Sequence, residues 1–237
     1  MRIGSWNLGH QTQERRLPAA FVDTVKALLP DVLVLNEYIH GDSRREMVAN
    51  LHTIGLKHYS VSEHIGGQNQ VLIASRLPQS LGDLAAPVTS AAATANFLHV
   101  VLPNIEIVGM RAPMFKSSAL LAAYWQDMEN LIQGTKDRRI VFIGDVNCDP
   151  DKPKRPGSFA LKRLRDTGWQ IPKPVGEWSF ISKNGKASCC IDHAICSPQI
   201  KHPTAAYKAR IGDIVLAGAT GDNAISDHAA LVLEIEA

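Results

Sequence analysis

The chain has 237 residues and a formal net charge of +2. Hydrophobic residues make up 45% of it and charged residues 20%, which excludes disordered and fibrous proteins and is typical of a globular one. The small charge permits a polyanionic partner without requiring one, because specialised nucleic-acid binders are usually more basic. No apolar run approaches the ~18 residues that span a bilayer, so we expect no membrane anchor.

The four cysteines indicate a reducing environment. Cys189 and Cys190 are adjacent, and with Cys148 and Cys196 they match neither a disulfide framework nor the paired spacing of a zinc site. The first eight residues lack the long apolar region and the cleavage site of a secretory signal. We therefore expect reduced thiols in a cytoplasmic protein, and we expect that protein to be a monomer.

The N-terminal part of the chain predicts a strand, a helix and a second strand. Residues 1–8 are typical of a strand, and the following helix has Pro18 in its first turn and ends before Pro30. Residues 31–37 form a nearly continuous apolar run, which is typical of a strand buried on both faces, and the run ends in Glu37.

The rest of the chain mixes further strands and helices. Strands are predicted at 57–63, 70–75, 97–102, 105–110, 139–146, 178–181, 190–196, 205–211 and 229–235, and helices at 43–55, 117–133 and 158–167. Segment 85–95, rich in Ala and Thr, is predicted to be a surface connection. In the helix at 117–133 we expect the core-facing side chains to be Leu120, Tyr124, Met128 and Leu131.

This order of elements predicts the α/β class. Hairpins together with a parallel unit imply mixed β-sheets with helices outside them, and about a dozen strands require two sheets. The sequence contains no repeat, no low-complexity tract and no change in composition that would mark a linker. One domain spanning residues 1–237 is the simplest account.

A motif at the end of a predicted strand carries the first indication of chemistry. The apolar run from Arg139 stops at Gly144 and then presents Asp145 and Asn147. Because side chains alternate along a strand, these two should point the same way from the end of a sheet. A carboxylate and a carboxamide there can orient a water or hold a phosphate oxygen. The alternative is an ordinary strand followed by an Asx turn.

Similar polar residues end other apolar runs. They are Asn7, Glu37, Asp192 and the pair Asp227-His228. Strands that lie side by side gather their ends at one rim, where crowded carboxylates repel unless a cation neutralises them. Oxygen ligands of this kind favour Mg²⁺ or Mn²⁺ over zinc. Taken singly, each acid-histidine pair is equally compatible with a capped turn or a buried polar pair.

Five short motifs occur in a characteristic order. They are Trp6-Asn7, Asn36-Glu37, Gly144-Asp145-Val146-Asn147, Ile191-Asp192-His193 and Ser226-Asp227-His228. Together they resemble the endonuclease/exonuclease/phosphatase superfamily, which includes abasic-site endonucleases, DNase I-like nucleases, sphingomyelinases and inositol-phosphate phosphatases. The resemblance implies a four-layer α/β sandwich, in which two β-sheets face each other with helices outside and the site lies at one rim.

The resemblance also implies a metal site, occupied by Mg²⁺ or Mn²⁺. Glu37 would be the principal metal ligand, with Asn7 close to the ion. Asp227 would lie on the far side of the metal or at an alternative metal position.

For the reaction, the resemblance implies attack of water on a phosphoester without a covalent intermediate. Asp145 would orient and deprotonate the water, and Asn147 would hold a phosphate oxygen. Asp192 would pair with His228, and His228 would contact the phosphate and stabilise charge in the transition state.

Three positions depart from the pattern of the superfamily. Arg111 stands where relatives carry an aromatic residue or His before a Pro-containing turn; it either grips the phosphate bidentately or is a surface arginine at a strand end. Gly9 stands where abasic-site enzymes often carry an acid, which leaves one carboxylate fewer for metal. Cys189 replaces a Trp, which counts against a dedicated abasic-site role.

Basic residues follow the Asp145 motif and favour nucleic acid. We predict that a nucleic-acid-binding face includes Lys154, Arg155, Lys162, Arg163 and Arg165. The alternative is a solvated loop and helix surface. We therefore predict a Mg²⁺- or Mn²⁺-dependent phosphodiester hydrolase, with DNA favoured as substrate and partner. Two alternatives are a hydrolase of a small phosphoester or lipid headgroup and a catalytically silent binding module.

Overall fold

The computed structural model describes residues 1–9, 20–39, 42–87, 90–152 and 154–236, with the backbone alone at 42–44. The strands are β1 (Arg2–Asn7), β2 (Val32–Tyr38), β3 (His58–Val61), β4 (Gln70–Ser75), β5 (Ser80–Leu81), β6 (Phe97–Leu102), β7 (Ile105–Arg111), β8 (Ile140–Asp145), β9 (Phe180–Ile181), β10 (Ser188–Cys189), β11 (Asp192–Cys196), β12 (Thr204–Lys208), β13 (Arg210–Ile211), β14 (Ile214–Val215) and β15 (Ala230–Glu234). The helices are α1 (Ala20–Leu28), α2 (Asp42–Thr53), α3 (Ala91–Ala95), α4 (Ser118–Gln133) and α5 (Pro156–Asp166). The helix start predicted around Pro18 lies outside the described residues.

Two mixed sheets form the centre of the molecule. The first has six strands in the order β12-β15-β1-β2-β4-β3, and in it only the β1–β2 pairing is parallel. The second has five strands in the order β11-β8-β7-β6-β5, and in it only the β7–β8 pairing is parallel. The predicted mixture of parallel and antiparallel strands is confirmed.

The two sheets pack face to face. Val34 and Val71 of the first sheet share one buried cluster with Ile107 and Ile143 of the second. The sheets approach each other closely at Gly109 of β7, where a Cβ would lie 2.7 Å from Val71 Cγ1. Burial of these β-branched side chains on both inner faces stabilises the packing of the two sheets.

Helices cover the outer face of each sheet. Val25 of α1 and Leu51 of α2 belong to the cluster on the first sheet. Trp125 of α4 and Leu161 of α5 pack with Phe142 on the second sheet. The layers therefore run helix, sheet, sheet, helix, and the predicted four-layer α/β sandwich is confirmed. A single domain spanning residues 1–237 stays a prediction.

The expectation of a surface connection at 85–95 was wrong for its last part. Residues Ala91–Ala95 form α3, whose first turn is capped by Ser90: its Oγ accepts the N–H of Ala93 at 3.2 Å. Ala93 and Ala95 are buried. The run of alanines reflects high helix propensity and small side chains that fit against the sheet, and not an irregular loop.

The core-facing stripe of α4 was predicted in part correctly. Tyr124 and Met128 are buried as expected, but Leu120 is 50% exposed and Leu131 is only half-buried. Trp125, Glu129 and Ile132 occupy the buried face instead. The buried face therefore keeps two of the four expected positions and extends to their neighbours, and Trp125 packs there with residues of α5 and the sheet.

A turn at Asn184-Gly185 lies between the strands predicted at 178–181 and 190–196. This turn joins β9 to β10 in a short hairpin, so Phe180 pairs with Cys189. The predicted strand at 190–196 begins at Asp192 and pairs with β8 in the second sheet.

Strand pairing gathers the polar strand ends at one rim of the sandwich. In the first sheet Asn7 lies beside Asn36. In the second sheet Asp145 lies between Arg111 of β7 and Asp192 of β11. Among the residues that the structure describes, no helix has the length and apolar character needed to cross a membrane.

Candidate active site

A cavity of about 480 Å³ opens at this rim. Most of the predicted catalytic and metal-ligating residues line it: Glu37, Arg111, Asp145, Asn147, Asp227 and His228. Asn7 and Asp192 lie behind the lining, each hydrogen-bonded to one of its members. The structure thus brings all of these residues to one place, and the roles assigned to them remain predictions.

Asp145, the last residue of β8, is buried and held by two hydrogen bonds to its carboxylate. Its Oδ1 accepts the backbone N–H of Asn147 at 3.0 Å, and its Oδ2 accepts the side-chain amide of Asn7 at 3.0 Å. The first contact is an Asx turn, so the alternative considered from the sequence is present within the site. The turn fixes the orientation of the carboxylate toward the cavity.

The glycine before Asp145 is required by close packing between strands. Gly144 has φ +149°, and a Cβ there would lie 1.9 Å from the carbonyl oxygen of Met110. Asn36 of the other sheet completes this region: its Oδ1 accepts the N–H of Asp145 at 3.3 Å and its Nδ2 donates to Met110 O at 3.1 Å. The position of Asp145 is therefore set by both sheets.

Two residues of the cavity other than glycine have left-handed backbone conformations. Glu37 has φ +56° and Asn147 has φ +52°. The pairing of β2 with β4 shifts register between Leu35 and Tyr38, at the segment that contains Glu37. Such conformations are uncommon for residues other than glycine, least so for Asn, and they concentrate at functional sites. The side chain of Asn147 donates to Ala112 O at 2.7 Å, which anchors the turn.

His228 is oriented by a buried carboxylate. Its Nδ1 lies 2.9 Å from Asp192 Oδ2, so Nε2 is the ring nitrogen available to a group in the cavity. The backbone around this pair is fixed by Trp6, whose indole N–H donates to His228 O at 2.8 Å, and by Tyr207, whose hydroxyl donates to Asp192 O at 2.8 Å. The ring of Phe180 lies 5.1 Å from the imidazole, centroid to centroid.

These surroundings shift the protonation equilibria of both groups. Burial, and after it the charge of Asp192, raises the pKa of the Asp145 carboxyl to about 7, although His228 and Arg111 act in the opposite direction. Burial is the largest single influence on His228 and lowers its pKa, but Asp192, Asp145 and Asp227 outweigh it and raise the pKa to about 9. Near neutral pH, His228 therefore carries a positive charge and Asp145 can accept a proton.

Arg111 lies inside the cavity and is not a surface arginine. Its Nη2 is 2.9 Å from Glu37 Oε1, and its Nε is 3.6 Å from Asp145 Oδ2. The Arg111 side chain is 21% exposed, whereas those of Glu37 and Asp145 are 5% and 2% exposed. The guanidinium therefore joins two nearly buried carboxylates that belong to different sheets.

The oxygen donors at the rim suit a hard divalent cation. Within the described part of the chain, Asp227 Oδ1 is buried without a hydrogen-bond partner, which is costly for a carboxylate oxygen unless a cation lies against it. Glu37 and Asn7 add further oxygens, although Asn7 Oδ1 already accepts the N–H of Gly9 at 2.9 Å. Mg²⁺ and Mn²⁺ are commonly held by one or two carboxylates together with waters, so this donor set fits them.

Gly9, which stands where abasic-site enzymes often carry an acid, lies close to Asp227. Its φ is +60°, and a Cβ would lie 2.7 Å from Asp227 Oδ1. A carboxylate side chain at this position would displace Asp227. The lack of an acid at Gly9, noted from the sequence, therefore accompanies a close approach of Asp227 to the backbone.

A separate group of potential ligands lies at the opposite end of the second sheet. Among the described residues, Asp83, His99 and Glu106 hold their side-chain ligand atoms within 4.8 Å of one another. The guanidinium of Arg138 contacts both Glu106 and Asp83, so this cluster already contains its own cation. No sequence motif marks these residues.

The predicted nucleic-acid-binding residues separate into two groups. Lys154 and Arg155 are exposed and line the cavity. Arg163 instead pairs with Glu129, with Nη2 2.5 Å from Oε2, and Arg165 pairs with Asp151 at 2.6 Å. Lys162 is exposed on α5 and is not part of the cavity lining. The basic wall of the cavity is therefore formed by the loop before α5, which also contributes Lys152.

Comparison with protein families agrees with this site. The pattern of the Endonuclease/Exonuclease/phosphatase family matches residues 4–228. The chain belongs to this family. Members of the family are hydrolases that act on phosphoesters, and nucleases are among them. A comparison with curated protein sequences finds no match. The resemblance drawn from the five motifs is confirmed.

Solved structures share the fold of this family member at low sequence identity. An AP endonuclease from Archaeoglobus fulgidus is 18% identical, with a TM-score of 0.72 and 100% coverage of both chains. The 3′ phosphatase NExo from Neisseria, bound to a product DNA hairpin, is 18% identical, with a TM-score of 0.70 and 100% coverage of both. Truncated TDP2 from Caenorhabditis elegans is 16% identical, with a TM-score of 0.69 and coverage of 100% of this chain and 97% of that one.

Two serines that hold the backbone around the site were not predicted as site residues. Ser179 is fully buried, and its Oγ accepts the N–H groups of Ile191 and Asp192 at 2.9 and 3.1 Å. Ser226 Oγ donates to Asn7 O at 2.7 Å and accepts the N–H of His228 at 3.0 Å. Ser226 belongs to one of the five motifs, but nothing in the sequence distinguishes Ser179 from other serines.

Proposed function

We propose that this protein is a Mg²⁺- or Mn²⁺-dependent phosphodiester hydrolase that acts on DNA by attack of water. The observation that carries the proposal is the convergence, in one cavity, of a proton-accepting carboxylate and a cationic imidazole. Asp145 is the carboxylate, and the imidazole of His228 is held by Asp192 at 2.9 Å. Hydrolysis of a phosphoester needs both groups: one activates the water and the other stabilises negative charge that develops on phosphate oxygens.

Five residues of the cavity can be given a part in this reaction. Asp145 orients a water and accepts its proton, because its carboxylate is fixed by Asn7 and the Asx turn. His228 donates from Nε2 to a phosphate oxygen. Asn147 contacts the phosphate through the amide atoms that the bond to Ala112 leaves available. A divalent ion at Glu37 and Asp227 would act as a Lewis acid on the phosphate and neutralise charge.

DNA is the favoured substrate because of the charges on one wall of the cavity. Lys152, Lys154 and Arg155 line the cavity on the loop that follows the Asp145 motif, and all three side chains are exposed. Exposed cations beside a phosphoester-binding site can hold the neighbouring phosphates of a polynucleotide, which a small phosphoester does not have.

The test combines three substrates with one active-site variant. Purified protein is incubated with MgCl₂ or MnCl₂ and supercoiled plasmid, an abasic oligonucleotide duplex or a chromogenic phosphodiester, each with and without chelator. We expect cleavage of a DNA substrate that the chelator abolishes. Asp145→Asn should lower the rate by at least about 10²-fold, the usual contribution of a positioned base. Asp213→Asn, at an exposed acid outside the cavity, is the matched control.

The outcomes discriminate between the candidate functions. Cleavage that persists in chelator, or an Asp145→Asn rate equal to wild type, would contradict the proposed mechanism. Cleavage of the chromogenic ester alone would replace DNA by the small-phosphoester alternative. Failure to cleave any of the three, combined with binding of DNA, would identify a silent binding module.

A further inference from the structure

The contact between Arg111 and Glu37 bears on how the site takes up metal. Arg111 is the last residue of β7, and β7 is parallel to β8, so its side chain projects beside Asp145. It crosses to the other sheet and places Nη2 2.9 Å from Glu37 Oε1. The same carboxylate is the main oxygen donor expected to hold the divalent cation. One carboxylate therefore has two candidate cations.

The two cations oppose each other electrostatically. A guanidinium is charged at all accessible pH values, so Arg111 cannot become neutral when a metal arrives. At 2.9 Å from Glu37 Oε1, it lies within a few ångströms of any ion that this oxygen holds. Because Glu37 and Asp145 are nearly buried, water screens this repulsion only weakly.

The present position of Arg111 leaves its hydrogen bonding incomplete. Its Nε is buried with no hydrogen-bond partner among the described residues, and Asp145 Oδ2 is 3.6 Å away. An unsatisfied buried donor favours another arrangement in which it is paired. The cavity that Arg111 lines is where a phosphate oxygen would supply that partner, with the bidentate geometry that suits a guanidinium.

We propose that Arg111 is an internal counter-cation of the metal site, which neutralises Glu37 and Asp145 until a divalent cation displaces it from Glu37. The displaced guanidinium remains in the cavity and becomes a ligand for the substrate phosphate. Arg111 thereby weakens the intrinsic affinity for metal, and it couples metal binding to phosphate binding. This inference rests on the proposed metal-dependent function.

The test is a measurement of Mn²⁺ binding that does not depend on turnover. Titrations of the full chain followed by electron paramagnetic resonance of free Mn²⁺ give Kd for wild type, Arg111→Gln, Arg111→Lys and Arg210→Gln. Arg210 is exposed and outside the cavity, so its variant controls for the loss of one charge. We expect Arg111→Gln to bind Mn²⁺ roughly tenfold or more tightly than wild type, because a nearby unscreened positive charge is removed. Arg111→Lys, which keeps the charge, should stay close to wild type.

A second measurement follows the wild-type protein directly, and variants serve only to assign its signals. The ¹⁵N-¹H signals of arginine Nε groups are recorded during titration with Mg²⁺, and the displacement of Arg111 should shift one of them. Inorganic phosphate added after Mg²⁺ should shift the same signal again. The Arg111 signal is the one that disappears in Arg111→Gln and in Arg111→Lys but remains in Arg210→Gln.

Failure of the inference is distinct from failure of the proposed function. If wild type binds Mn²⁺ and Arg111→Gln binds it equally or more weakly, or if no Nε signal responds to Mg²⁺, Arg111 does not compete for Glu37 and the inference is overturned. If neither wild type nor Arg111→Gln binds Mn²⁺, and Glu37→Gln is indistinguishable from them, the metal site itself is refuted together with the proposed function.

Discussion

Asp192 lies directly opposite Asp145 in the antiparallel pairing of β11 with β8. Two carboxylates in adjacent strand positions would repel if both stood alone, but Asp192 is paired with His228 and Asp145 faces Arg111. This arrangement gives the two acids different tasks. Asp192 holds an imidazolium in place, while the pKa of Asp145 is raised into the range of a general base.

The pairing of Asp192 with His228 predicts strong non-additivity. His228→Ala should lower the rate of phosphodiester cleavage by on the order of 10²-fold or more, because a donor to the transition state is removed. Asp192→Asn should lower it as well, since the imidazolium loses its charged partner. The double variant should be little slower than His228→Ala alone, because the two side chains act as one unit. Losses in rate that multiply in the double variant would show independent roles.

Close packing at Gly144 predicts a large loss of stability on substitution. Gly144→Ala puts a Cβ 1.9 Å from Met110 O at φ +149°, so the strand pair must move apart. We expect the free energy of unfolding, measured with urea, to fall by about 3 kcal/mol or more. Gly66→Ala is the control, because nothing lies within 4 Å of its Cβ position, and it should change stability by less than about 0.5 kcal/mol.

The buried imidazole of His99 predicts a dependence of stability on pH. Burial, the largest influence, lowers the pKa of His99 below its usual 6.5, although Glu106 acts in the opposite direction. Its Nδ1 accepts the N–H of Leu84 at 3.1 Å, so the folded protein holds the neutral ring with the proton on Nε2, toward Glu106. Asp83 and Arg138 are the other charged groups that face it.

The sign of this dependence follows from proton binding. Below pH 6.5 the unfolded chain protonates His99 before the folded protein does, so the contribution of His99 to stability is complete above that pH and is lost as pH falls through the lowered pKa. Urea unfolding of wild type at about pH 7 and about pH 5.5, on either side of the ordinary histidine pKa, should show a decrease that is smaller in His99→Gln. An equal decrease in the two proteins would assign the effect to other groups, of which buried His193 is one.

Because Arg163 and Arg165 of α5 are paired with acids, we expect Lys154 and Arg155 to be the residues that contact a polynucleotide. Replacement of Lys154 and Arg155 by Ala should weaken DNA binding and reduce the slope of log K against log salt by roughly 0.9 for each phosphate that is no longer neutralised. Replacement of Arg163, whose charge is paired with Glu129, should change the slope much less. Fluorescence anisotropy at several salt concentrations measures both. Equal slopes for the two variants would place the DNA elsewhere.

The sequence predicted that most of these residues would lie together, because they stand at or next to the ends of strands. Asn7, Glu37 and Asp145 each end an apolar run, and the pairing of those runs in sheets brings their ends to one rim. Strand ends are recognisable from local composition, so the positions could be predicted before the pairing was known. The order of the five motifs then identified the family, which a single motif could not do.

What the sequence did not predict depends on contacts between distant residues. The buried face of α4 includes Trp125, which was not expected there and which packs with residues of α5 and β8. Arg163 of α5 pairs with Glu129 of α4, 34 positions earlier in the chain. The sequence places Arg163 on a solvent-exposed helix face, but the ion pair neutralises its charge. Likewise, the orientation of Arg111 toward Glu37 requires both sheets to be in place.

The amide of Asn36 has a mechanical consequence for the cavity. It belongs to the first sheet, yet it accepts the backbone N–H of Asp145 and donates to Met110, both in the second. Any sliding of one sheet past the other would break these two hydrogen bonds inside the buried interface. These two bonds tie the halves of the cavity together, so in the proposed reaction groups contributed by opposite sheets would face a phosphate across a spacing set by the sheet interface.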